Sequence, residues 1–247
     1  MLTLRLLLAA IVIVLSSQAN AASVSKSQRE VIVFVTDLSQ GSNLERSFYD
    51  VVEFAAVTLA QTTLGPNYNK VTVIQGGNST LSNLRNALKT AANKSGIKAV
   101  DLIFVTHGLS DEVLFAGGRK TMTQVKNDIV NNLTSSQRGK LRIVFSTACF
   151  GETHRSKWRD AGFKTVSGSK KIYADSAASY PAFLGSWILG QSFSTAVNVA
   201  NVADPLRVSD NAAKAWFISQ GKPDLAAKVD SFRLKSGTSS LTINTMP

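Results

Sequence analysis

The sequence predicts an α/β fold, a three-layer α/β/α sandwich around a mostly parallel central sheet, on two observations. Short runs that are apolar at nearly every position recur along the chain, as expected of strands buried on both faces. Between them lie amphipathic stretches with helical spacing, the alternation that covers a parallel sheet with helices on each side.

The elements follow in order. Val31-Ile32-Val33-Phe34-Val35 reads as the first strand, and a helix is expected over about residues 44–60, with Phe48, Val51, Val52, Ala55 and Leu59 on its apolar face. Residues 71–74 form the second strand. A second helix over 80–92 turns Leu81, Leu84 and Leu88 to one side, and the third strand, 100–105, runs into Thr106-His107-Gly108. Val113-Leu114-Phe115 turning at Gly117-Gly118 predicts a hairpin, followed by a helix over about 121–133. The fourth strand, 142–145, runs into Ser146-Thr147-Ala148-Cys149. Helical stretches are then expected over 180–200 and 210–219, before a Ser/Thr-rich piece from Ser236 onward. Tyr180, Phe183, Trp187, Phe193, Trp216 and Phe217 are read as core or groove lining.

The N-terminus has the pattern of a secretory signal peptide. Arg5 precedes the apolar run 6–15, and Ala19-Asn20-Ala21 supplies a cleavage-type ending, so cleavage is expected after Ala21. The apolar run is shorter than the ~20 residues a membrane anchor requires. Residues 22–247 carry neither repeats nor a Pro- or Ser-rich linker and are expected to form one domain. The product is expected to be exported, periplasmic or secreted, without a membrane span after cleavage. Losing the signal removes only Arg5, so the net charge of +11 falls by one. The excess is spread along the chain, which favours a solvated basic surface over a nucleic-acid site.

Exported chains usually hold cysteines in disulfides, yet this one has a single Cys and only two His. A lone cysteine is often simply packed, and a lone histidine is often a satisfied polar residue. Here His107 and Cys149 stand just past the carboxyl ends of the third and fourth strands, the edge where open parallel sheets bind ligands. Thiol, imidazole and the N–H groups of Gly108 and Cys149 would give a nucleophile, a proton manager and an oxyanion hole, the parts acyl transfer from a peptide bond needs. Gly108 is expected to let the backbone turn tightly. An active-site Cys149 should be accessible, with a lowered pKa.

The two motifs, Leu102-Ile103-Phe104-Val105-Thr106-His107-Gly108 and Ile143-Val144-Phe145-Ser146-Thr147-Ala148-Cys149-Phe150-Gly151, with 42 residues from histidine to cysteine, resemble the caspase-like cysteine peptidases, the group of caspases, metacaspases, legumain, clostripain and gingipains. The caspase signature Gln-Ala-Cys-[Arg/Gln/Gly]-Gly is matched at Ala148, Cys149 and Gly151, while Thr147 and Phe150 depart from it, so the chain is not a caspase proper. The resemblance implies a caspase-like fold and a cysteine endopeptidase. Cys149 would attack the scissile carbonyl, His107 would serve as general acid/base, and Gly108 and Cys149 would hold the oxyanion. In the family, the pocket for the residue before the cut is lined from the end of the first strand and from the strand after the cysteine, regions occupied here by Asp37 and Asp175. A carboxylate there would select Lys or Arg. Otherwise Asp37 caps a turn and Asp175 is a solvated loop residue.

The remaining features are quieter. His154, among Arg155, Lys157 and Arg159, is read as a surface residue, and one Cys with two distant His offers no metal cluster. No Gly-x-Gly-x-x-Gly or Walker loop is present, so no cofactor is expected. A monomeric single-chain enzyme acting on a peptide or protein substrate is the expectation. Two other functions use the same residues: a silent binding or adhesion scaffold that keeps the fold, and a transpeptidase or amidase in which an amine replaces water.

Overall fold

The computed structural model describes residues 23–37 and 43–247, residues 43–52 by backbone alone. The signal segment, and the side chains of Phe48, Val51 and Val52, therefore lie outside the described residues.

The strands alternate their side chains to opposite faces, and each face finds a helical layer. Val31, Val33 and Val35 of β1 (Arg29–Val35) join Ile103 and Val105 of β3 (Ala99–Val105) and Ile143 and Phe145 of β7 (Leu141–Ser146) in one core. That core is closed by α1 (Asn43–Leu64), α6 (Ser176–Ile188) and α7 (Phe193–Val202), which contribute Ala60, Phe183, Trp187 and Phe193. Ile32, Phe34, Leu102, Phe104 and Val144 point the other way. They meet α2 (Leu81–Asn93), α3 (Met122–Asn132) and α5 (Gly151–Asp160) through Leu84, Leu88, Val125, Ile129 and Trp158.

With β2 (Lys70–Gln75), β8 (Thr165–Ser169) and β9 (Arg233–Gly237), these strands form a six-stranded sheet of order β2-β1-β3-β7-β8-β9. All its pairings are parallel except β8 with β9. This is the expected sandwich. The hairpin is also as expected: β5 (Glu112–Phe115) and β6 (Gly118–Thr121) pair antiparallel, and β4 (Gly108–Leu109) extends them to three strands. Thr121 begins α3 as a capping box with Gln124 rather than as its first helical residue.

One reading changes and one alternative is decided. The helix expected over 180–200 is two helices, α6 and α7, because Gly190 adopts a left-handed φ of +80° and Ser192 then caps α7, accepting the Thr195 N–H at 3.1 Å. Trp187 is fully buried, its Nε1 donating to Tyr68 Oη at 2.8 Å, so it belongs to the core rather than to a groove. The edge strand β9 pairs Arg233–Gly237 against β8 just as the Ser/Thr-rich end begins. The helices α4 (Ser135–Gly139), α8 (Val208–Ser219) and α9 (Pro223–Ala226) complete the described elements.

Beneath the sheet, a buried ion pair ties β3 to β7. The Arg142 guanidinium donates to both Asp101 carboxylate oxygens at 2.5 and 2.9 Å, both residues being 0% exposed, and Tyr68 Oη donates to Asp101 at 2.5 Å. The remaining Arg142 donors reach the Ile243 and Thr245 carbonyls at 2.8 and 2.9 Å, so the same charge anchors the C-terminal tail. Removing one member of such a pair strands the other's charge in the core. Arg142→Met should therefore lose about 3–5 kcal/mol of stability in chemical denaturation, with Asp101→Leu added on top restoring part of it. A loss under 1 kcal/mol would show that the pair is dispensable.

Candidate active site

The candidate edge is assembled by strand register. Phe104 of β3 pairs with Ser146 of β7, so His107 and Cys149 each stand three residues beyond a matched pair. The pairing continues past the strands, with the Thr147 N–H donating to Phe104 O at 2.9 Å and the Thr36 N–H to Val105 O at 3.0 Å. β5 fixes the backbone of His107, whose carbonyl accepts from the Leu114 N–H at 3.0 Å. The imidazole is half-buried.

Gly108 then presses against the backbone of Cys149. A Cβ built on it would lie 2.4 Å from Cys149 O, 3.0 Å from Ala148 Cβ and 3.1 Å from His154 Cε1. Gly108 does not adopt a positive φ. Its glycine character serves close approach rather than the tight turn expected from the sequence.

Cys149 is half-buried, and its Sγ accepts the Tyr173 N–H at 3.3 Å. The N–H groups of Cys149 and Gly108 also act on the sulfur and favour its thiolate. Burial outweighs all three and pushes the thiol above its ordinary value, so the resting group is a neutral thiol rather than the low-pKa thiolate expected.

The chain after the cysteine is tightly constrained. Phe150 takes a left-handed conformation, φ +55° and ψ +24°, that costs a non-glycine residue roughly 1–2 kcal/mol. Its N–H donates to Lys171 O at 2.7 Å, and Ser169 Oγ donates to Ala148 O at 3.0 Å, fastening the loop to the end of β8. Gly151 opens α5 against Gly168 so closely that a Cβ on Gly168 would meet Gly151 O at 2.4 Å.

The two carboxylates expected near a specificity pocket differ. Asp37 is exposed at the end of β1, on the far side of His107 from Cys149, where it lines a cavity of about 290 Å³ with Gly76, Gly77, Ala116 and Gly118. Asp175 is 2% exposed, two residues beyond Tyr173, so it is not a solvated loop residue. It precedes α6 without capping it, and its Oδ1 is buried without a hydrogen-bond partner. Burial, then the nearby Asp204 and Asp210, pushes its carboxyl up to about 6, against the pull of Arg207 and Arg233. Asp204 and Asp210 are each satisfied, by the Val208 and Ser209 N–H groups and by Ser231 respectively. Arg233, itself buried, lies over the Phe145 and Tyr173 rings at 3.9 and 5.0 Å and donates to Ser146 O, a second buried charge below the edge.

His154 is also placed differently from its surface reading. It is 0% exposed, because it shares the inward face of α5 with Gly151 and Trp158, while Arg155, Lys157 and Arg159 point outward or along the flanks. Tyr173 and Arg233 had no signal in the sequence pattern. Among the described residues no group of His, Cys, Asp and Glu side chains could hold a metal ion, and no helix is long and apolar enough to cross a membrane.

Comparison with known proteins gives a consistent picture. A family model described as the caspase domain matches residues 22–225. Among solved structures, caspase-1 from Spodoptera frugiperda is similar with 16% identity and a TM-score of 0.54, over 91% of this chain and 90% of that one. The Arg-specific cysteine proteinase gingipain R is similar with 14% identity and a TM-score of 0.51, over 92% of this chain. The chain spans half the length of that gingipain chain. No curated protein matches the sequence.

Burial of the thiol has a direct consequence for its reactivity. Alkylation of Cys149 by iodoacetamide should climb with pH and still be climbing at pH 9, the thiol's ordinary value. A plateau below pH 7 would mean that a thiolate is stabilised at rest.

Proposed function

The chain belongs to the caspase-domain family of cysteine peptidases, and from that footing we propose that it is an exported endopeptidase in which Cys149 is the nucleophile and His107 the general acid/base. One observation carries the proposal: the Gly108 backbone is packed onto that of Cys149, with the N–H groups of both acting on Sγ. That is where the oxygen of a carbonyl attacked by the sulfur would develop charge.

The chemistry follows from the resting thiol being neutral. As Sγ adds to the scissile carbonyl, its proton passes to His107, and the carbonyl electron pair becomes an oxyanion received by the Gly108 and Cys149 N–H groups. Collapse expels the amine, which takes the proton from His107 and leaves a thioester on Cys149. Water then attacks this acyl-enzyme while giving a proton to His107, and the thiol is re-formed as the peptide acid departs. The helix α5, beginning two residues after Cys149, adds a positive N-terminal potential at the developing charge.

The substrate is a peptide or protein chain met outside the cytoplasm, with the signal segment 1–21 as the basis for export. Asp175 supports a basic residue before the cut. It is the acid on the Cys149 side of the edge, and its Oδ1 is an unused acceptor that a Lys or Arg side chain would satisfy once admitted past Tyr173. Asp37, on the other side of His107, carries less of this preference.

Three outcomes test the reading. Acyloxymethyl ketone probes bearing Arg, Asn or Asp should label the wild type but not Cys149→Ala, and His107→Ala should lower peptide turnover at least about 100-fold. Absence of labelling by every probe in folded protein would favour the binding scaffold. Arg peptides should be cleaved faster than Asp peptides, with kcat/KM falling below pH 6 as Asp175 is protonated, and Asp175→Asn should remove that preference. Faster cleavage of Asp peptides would overturn the basic pocket. Because the folded-state pKa of Asp175 lies above the unfolded one, its ionisation destabilises the fold as pH rises toward 6 and beyond. Asp175→Asn should therefore raise Tm at pH 7 and lose that advantage near pH 4.

A further inference from the structure

We propose that the first turn of α5 is a clamp that sets the oxyanion hole, with His154 as its central positioning residue and Thr153 as its second contact. The assignment rests on the peptidase reading and adds to it a group that touches neither substrate nor sulfur.

His154 is wholly buried five residues after the nucleophile, and its Nε2 lies 2.8 Å from Leu109 O. A carbonyl can only accept, so Nε2 carries the proton and Nδ1 is left with its lone pair. That Nδ1 is buried and has no hydrogen-bond partner. Burial also lowers the imidazole's pKa, keeping the ring neutral. A side chain needed only to fill space would not carry an unsatisfied nitrogen, since an apolar residue packs without one. The ring is needed for what Nε2 and Cε1 touch.

Both contacts converge on the loop after His107. Nε2 holds the carbonyl of Leu109, and Cε1 walls off Gly108 on one side while Cys149 O walls it off on another. The adjacent Thr153 completes the tie, its Oγ1 accepting the Asp111 N–H at 2.9 Å and donating to Phe150 O at 2.9 Å. Asp111 is left-handed, φ +60°, so the turn that follows β4 is held in a conformation a non-glycine residue disfavours. The loop bearing the nucleophile and the loop bearing Gly108 are thus joined through two neighbouring side chains of one helix. Loosening that joint would let the Gly108 N–H drift from the Cys149 N–H and from Sγ while the Tyr173 contact to the sulfur and the Asp175 region stay in place.

The test compares wild type, His154→Phe and His154→Gln on one peptide series, with Cys149→Ala as the blank. Phe keeps the ring volume and removes the donor, whereas Gln returns an N–H at the reach of Nε2. His154→Phe should lower kcat at least about tenfold with KM within about twofold, because the hole serves the transition state rather than substrate binding. Its iodoacetamide alkylation should slow by far less than kcat, since the Tyr173 and Cys149 N–H groups still act on the sulfur, and His154→Gln should recover most of the lost kcat. Should His154→Phe fail to fold, Thr153→Val, at an exposed position, is expected to lower kcat in the same way. Unchanged kcat in the folded variant, a loss confined to KM, or no recovery in His154→Gln would overturn the clamp while leaving the peptidase reading intact. A wild type inert toward every peptide and probe would overturn the reading and the clamp with it.

Discussion

The pairing of β3 with β7 is the constraint on which the proposed catalytic edge depends. Low in the ladder, Val100 pairs with Leu141, an offset of 41, and above a register shift Leu102 pairs with Val144, an offset of 42. The upper offset equals the spacing from His107 to Cys149, so the irregularity brings the two into line. The buried Asp101–Arg142 pair sits at that irregularity, where the ladder itself specifies register least. A slipped alignment would separate two charges that have no access to water, a much larger penalty than the loss of a ladder hydrogen bond. The same arginine holds the C-terminal tail, and Arg29 takes the Ile243 carbonyl and the Asn244 side chain beside it. Both ends of the described chain therefore close over the base of the strands that carry His107 and Cys149.

Above that base, local preferences are set aside in one place. Phe150 is left-handed, Cys149 is a thiol made less acidic by burial, Asp175 is an underpaired buried carboxylate, and His154 keeps a nitrogen without a partner. Each is unfavourable alone, and their clustering around one sheet edge is what a functional site does to an otherwise consistent fold. The core supplies the compensation. Phe34, Phe104, Phe115 and Trp158 interlock on one face of the sheet, and Phe145, Phe183, Trp187 and Phe193 on the other. Close backbone packing at Gly108, Gly151 and Gly168 transmits that rigidity to Cys149, since no side chain intervenes to yield.

The sequence showed the sandwich through its central strands, because β1, β3 and β7 are buried on both faces and so read as unbroken apolar runs. His107 and Cys149 were legible for the same reason, each marking where such a run stops. The edge was harder to read. β8 is Thr165-Val166-Ser167-Gly168-Ser169, buried throughout but polar and small, with α5 so close at Gly168 that no side chain fits there. His154 was hidden by its charged neighbours, although its helical spacing to Gly151 and Trp158 marks the inward face. Asp175 could not be distinguished from a loop residue, since the groups that surround it, Asp204, Asp210 of α8 and Arg233 of β9, come from distant parts of the chain.

The most direct test of this account is a crystal structure of the protein with a peptidyl-arginine aldehyde bound. The account predicts a hemithioacetal on Cys149 Sγ whose oxygen lies about 3 Å from the N–H groups of both Gly108 and Cys149, with the imidazole of His107 beside the reacting carbon. An adduct oxygen turned to solvent, away from Gly108, or an aldehyde bound without a bond to Cys149, would contradict it.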